Sequence, residues 1–137
     1  MSPDAVPTMN REARDLWVAA LRDTDTYPQT KGALHNEDGY CCLGVLCEVA
    51  IKAGVDLTVT HGENEPGLSY YDGEAEHLPD AVVAWAGLDT NNPVVLVEDE
   101  DEAVDDGVVQ YERELVMLND DFVWDFPSIA DVIEAQL

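Results

Sequence analysis

Basic residues are scarce in this chain. Of 137 residues only 6 are Lys or Arg, against 30 Asp or Glu, which sets a formal net charge of -24. A field of that sign repels phosphate, so neither a nucleic acid nor an anionic membrane surface is expected as a direct partner. Cysteine is also sparse and odd in number, at 3, which argues against an oxidised framework and for a reducing compartment. Long apolar runs are missing: Cys41–Cys47 and Ala81–Leu88 are the longest, far short of the roughly 18 residues that span a bilayer. Met1–Asn10 has no basic and apolar blocks of a secretory signal, holding instead Pro3, Asp4 and Pro7. Walker, G-x-G-x-x-G, G-x-S-x-G, H-E-x-x-H and calcium-loop patterns do not occur, so phosphate cradling, esterase and metalloprotease chemistry have no anchor.

What is present points to a folded domain. The apolar fraction of 46% is too high for a disordered acidic tail. One domain of this length buries about two-thirds of its extended-chain surface, so a core forms without disulfides. The charge is lopsided: residues 1–22 sum to zero, and the whole deficit lies downstream, where only Lys31, Lys52 and Arg113 oppose the acids.

The pattern along the chain is mixed. Ala13, Leu16, Trp17, Ala20 and Leu21 form a helical stripe that Thr8 or Asn10 caps and that ends before Pro28. Asn36-Glu37-Asp38-Gly39 reads as a hairpin or tight loop. Residues from about Cys42 to Ala53 form a buried helix stopped at Gly54, in which Gly44 marks close backbone approach. Leu57–Thr60, Leu68–Asp72 and Pro93–Val97 read as strands, and Pro79 opens a helix reaching about Leu88. Glu98–Glu102 with Asp105, Asp106 and Gly107 reads as a charged loop. Val108–Leu118 fits either a strand or a helix. Ile129, Val132, Ile133 and Leu137 stripe a last helix opened by Pro127, with Asp125 and Ser128 at its positive end. The expected fold class is α+β: a flexible leader over 1–10, then a single domain over 11–137. In it three to four helices pack on a small, mainly antiparallel sheet, with an acidic loop at about 98–107.

The block Tyr40-Cys41-Cys42-Leu43-Gly44-Val45-Leu46-Cys47, with Leu16-Trp17, Gly32-Ala33-Leu34, Trp85-Ala86-Gly87-Leu88, Leu118-Asn119-Asp120 and Ile129-Ala130-Asp131, resembles a family of small uncharacterised proteins. These are encoded by phages, chiefly actinobacterial ones. Tyr27, Gln29, Tyr71-Asp72-Gly73 and Phe126 extend the resemblance, which is weakest over residues 98–114. It implies expression in the cytoplasm of an infected bacterium and carries over no activity.

Cys41, Cys42 and Cys47 with His35 raise metal and nucleophile hypotheses. A helix starting near Cys42 turns Cys47 about 500° away at roughly 100° per residue, so the two do not share a face, and no second close pair completes a zinc set. Their neighbours are apolar or acidic, which favours inert thiols over an activated one with His35, His61 or His77 as base. Neither a catalytic residue, a metal nor a cofactor is therefore expected. The leading expectation is a non-enzymatic accessory protein that binds a basic host or phage protein. Glu98, Asp99, Glu100, Asp101, Glu102, Asp105, Asp106, Asp120, Asp121 and Asp125 would steer the partner, and Trp124 would supply an apolar anchor. A sharper form is a DNA mimic that blocks a defence or DNA-processing factor. The alternatives are a small-ligand pocket around Lys31, Gly32, His35, Tyr40 and Cys41, and a thiol-dependent hydrolase using the 31–47 region.

Overall fold

A computed structural model describes residues 9–62, 68–88, 90–104, 107–120 and 124–137; for residues 98–104 and 107–111 it describes the backbone alone. The architecture is a single α+β domain. In chain order the elements are α1 (Arg11–Arg22), β1 (His35–Asn36), β2 (Gly39–Tyr40), α2 (Cys42–Lys52), β3 (Val59–His61) and β4 (Ser69–Tyr71). Then come α3 (Asp80–Ala86), β5 (Val94–Val104), β6 (Gly107–Glu114), α4 (Leu115–Asp120) and α5 (Phe126–Gln136). Among the described residues the helices thus number five, and the strands form three separate antiparallel pairs, β1–β2, β3–β4 and β5–β6, rather than one sheet. A two-stranded pair is marginal alone in water, so each depends on what it packs against.

α1 begins where Asn10 accepts hydrogen bonds from the amides of Glu12 (2.8 Å) and Ala13 (3.3 Å), satisfying donors that a helix start leaves orphaned. Met9 is buried and the Asn10 amide donates to the Ala86 carbonyl. Both residues therefore belong to the fold and not to a loose leader. Residues 1–8 lie outside the described set. Ala13, Trp17, Val18, Ala20 and Leu21 are buried. Leu16, expected in the stripe, is exposed, and Val18 takes the inward position.

α2 is the centre of the core. Leu43, Val45, Leu46, Cys47 and Ala50 are inaccessible to solvent, and each buried aliphatic side chain contributes about 1.5–3 kcal/mol. Gly44 has no alternative in this packing: a Cβ there would fall 1.7 Å from the Leu34 carbonyl oxygen. Trp17 spans the α1–α2 contact and donates its indole N–H to the Cys42 carbonyl at 2.9 Å. Phe126, Ile129 and Ile133 of α5, Leu115 and Leu118 of α4, and Val82 and Ala86 of α3 close the remaining sides.

The β1–β2 turn forms at Glu37–Asp38 as expected, with Asn36 accepting from the amides of Asp38 and Gly39. α3 stops at Gly87, whose φ of 74° is the left-handed conformation that glycine adopts without strain. The ambiguous stretch divides at Leu115. Residues up to Glu114 pair with β5, and Leu115, donating to the Pro93 carbonyl at 2.9 Å, starts α4. No helix among the described residues is long and apolar enough to cross a membrane.

Candidate functional site

The acidic run does not form a loop. Glu98–Glu102 continues β5, and the β5–β6 ladder runs from Val94↔Glu114 to Asp99↔Val109, then resumes at Val104↔Gly107 after a bulge. Aspartate and glutamate favour strands poorly. The run is extended because Val94–Val97, anchored below it, sets a register that β6 propagates. Val95 is buried and Val97 packs against the core, whereas Val94 and Leu96 are 46% and 45% exposed. The root is pinned by polar contacts: Asn92 donates to Glu114 at 2.7 Å, and the Gln136 side-chain amide bonds both backbone groups of Leu96 at 2.8 and 2.7 Å. Asp105, Asp106 and Asp121 lie outside the described residues.

The other expected partner-binding residues separate by role. Asp125 caps α5, accepting from the Ser128 amide at 3.0 Å; hydrogen bonds from Ser128 hold its carboxyl below the usual range. Trp124 is half-buried and packs against the core, so most of its ring serves the fold. Its carbonyl accepts from Gln29 Nε2 at 2.7 Å. Gln29 also donates to Asn119 (2.8 Å) and accepts from the Phe126 amide (3.1 Å), while Asn119 Nδ2 donates to the Thr30 carbonyl and to Asp120. This network lashes the Pro28–Thr30 segment to the α4–α5 connection.

The residues expected to form a ligand pocket part into two groups. Gly32 and Cys41 line a concavity of about 210 Å3 with Glu76, His77, Val116 and Asp120, and Lys31 and Gly32 border a shallower one of about 310 Å3 beside Asn36 and Asp38. His35 and Tyr40 instead face each other across the β1–β2 ladder, ring centroids 4.0 Å apart. They join a cluster that sequence reasoning did not assemble. The Tyr71 hydroxyl donates to Glu48 at 2.7 Å and lies 3.5 Å from His35 Nδ1. Tyr27 stacks edge-on to Tyr40 and accepts from the Lys52 ammonium. Burial lowers the His35 pKa, opposed by Glu48 and reinforced by His61; burial and the Glu48 bond push the Tyr71 hydroxyl up. With the proton held on Tyr71 and the imidazole neutral, this cluster is a fixed polar anchor for α2. Its one local signal was Glu48, the sole charge between Cys41 and Ile51.

All three cysteines are free and buried. Burial pushes the Cys41 thiol up to about 12 and raises Cys42 and Cys47 well above the ordinary value. Thiolate, the reactive form, is thus suppressed at neutral pH. Among the described residues no group of three or more His, Cys, Asp or Glu side chains is arranged to hold a metal ion.

A family described as a domain of unknown function, DUF8296, matches residues 9–137. The chain belongs to that family. The DUF8296 match starts at Met9, the first described residue, which is buried, and runs through every helix and strand described above. No curated protein and no solved structure matches the chain.

Proposed function

We propose that this DUF8296 protein is a non-enzymatic phage accessory protein that binds a basic host or phage protein through the β5–β6 hairpin. One observation carries the reading: five consecutive acids, Glu98–Glu102, stand on a strand and not in a loop. Five acids in succession on extended backbone form a line of negative charge, the feature that a DNA strand also presents, with the β5–β6 register shifting between Asp99 and Val104. That likeness favours partners that bind DNA, and it gives the DNA-mimic form of the proposal its physical content. The resemblance to phage-encoded proteins supports the infected bacterial cytoplasm as its setting.

Steering of this kind acts on association rate and fades with salt. The test is capture of host proteins by the wild-type chain and by a variant carrying Glu98→Lys, Asp99→Lys, Glu100→Lys, Asp101→Lys and Glu102→Lys. Basic, DNA-binding proteins retained at low salt by the wild type, released by salt or by added DNA, and lost from the variant are the expected result. Retention of the same proteins by the lysine variant contradicts the proposal.

A further inference from the structure

The hairpin carries a second feature beside its charge. In an antiparallel pair, alternate residues direct their N–H and C=O groups toward the neighbour strand and away from it. Leu96 gives both groups to the side chain of Gln136, its N–H to Oε1 at 2.8 Å and its C=O to Nε2 at 2.7 Å. These groups therefore face away from β6, and the ladder alternation gives Val94 and Glu98 the same outward direction. Among the described residues no strand pairs with this outer edge of β5. A side-chain amide bonding one residue through both its oxygen and its nitrogen occupies the place of a peptide group in an adjoining strand.

We propose that the outer edge of β5 is a docking site for an extended, basic segment of a partner protein, which adds a strand there and displaces the Gln136 amide. This inference rests on the reading of the hairpin as the partner-binding element and specifies how the partner is held. The chemistry of the edge names the occupant. Val94 and Leu96 offer exposed apolar side chains at the root, and Glu98–Glu102 follow on the same strand. The complementary strand carries valine-like residues at one end and lysine or arginine at the other. A second copy of this chain brings a further net charge of -24 to the same edge and is repelled. Main-chain bonds of this type supply affinity while the side chains select the sequence.

The probe is a short peptide with valines at one end and lysines at the other, its binding followed by fluorescence anisotropy. Leu96→Thr removes the apolar side chain and keeps the edge N–H. Leu96→Pro removes the N–H as well, at an edge position where proline is tolerated because the β6 ladder does not use that donor. The proline variant, if folded, is expected to bind about tenfold more weakly than the threonine variant, with a lower melting temperature because it also loses the Gln136 bond. In the wild type, peptide addition is expected to slow hydrogen exchange at the Glu98 amide, a readout that stands even if the proline variant does not fold. Equal affinity of two folded variants, an unprotected Glu98 amide, or a dimer of the protein alone through this edge overturns strand addition. Electrostatic capture by the hairpin is judged separately, by the five-lysine variant.

Discussion

α2 and β5 have the same length, 11 residues, and opposite constitutions. Eight residues of α2 are buried, and its one half-buried acid, Glu48, is engaged by Tyr71. β5 buries Val95 at its root and then runs through five acids in succession. The contrast separates two tasks. Stability is concentrated where α1, α2 and α5 meet, and the negative field is carried farther along the chain on a hairpin held at its base. In a domain with a net charge of -24, self-repulsion opposes folding. The body offsets it with apolar packing and not with ion pairs. The Arg22 bridges to Asp131 and Glu134 join exposed partners, and such pairs contribute little.

The sharpest way to break this contrast is to disturb α2. Gly44→Ala forces the helix away from Leu34 and is expected to cost about 3 kcal/mol, read as a lowered denaturation midpoint. A near-neutral result would show that α2 and the Leu34 segment yield easily, and that the body is less rigid than its packing implies.

A smaller effect follows from His35. Its folded pKa is lowered by burial, with Glu48 opposing and His61 adding to the shift, while Tyr40 and Tyr71 contribute no charge at neutral pH. The unfolded chain therefore binds the proton more readily than the folded one. The stability this confers is present above the unfolded value of about 6.5 and is lost as pH falls through the folded value. Denaturant midpoints measured from about pH 7 to about pH 5.5 should fall in the wild type and fall less in His35→Gln. An unchanged pH slope in the variant would remove His35 as the source.

Much of the body was legible because its signals are local. The stripe of α1, the turn formers at Asn36–Gly39, the glycine inside α2 and the proline and glycine bounding α3 each act within a few residues. Leu16 shows the limit: helical spacing placed it inward, whereas α1, packed against both α2 and α5, leaves it exposed and buries Val18. The hairpin was misread for a different reason. Consecutive acids oppose strand formation by propensity; Glu98 and Asp99 are held by pairing with β6, which begins after residues 105 and 106, and the ladder resumes at Val104. The change from strand to helix at Leu115 depends on its bond to Pro93, 22 positions away, which no window of periodicity contains. The cluster of His35, Glu48 and Tyr71 was missed likewise, because its members come from three elements. Of the expected site, the acids at 98–102 share one strand, whereas Asp125 and Trp124 have duties in the fold.

The central claim is that the hairpin acids serve encounter and not folding, and thermal unfolding of the five-lysine variant tests it most directly. Each reversal adds two charge units, so the net charge moves from -24 to -14. The account predicts a melting temperature at low salt about 2 °C above that of the wild type, with the two converging as salt screens the repulsion. A melting temperature clearly below the wild type would mean that these carboxylates hold the structure together, which contradicts the account.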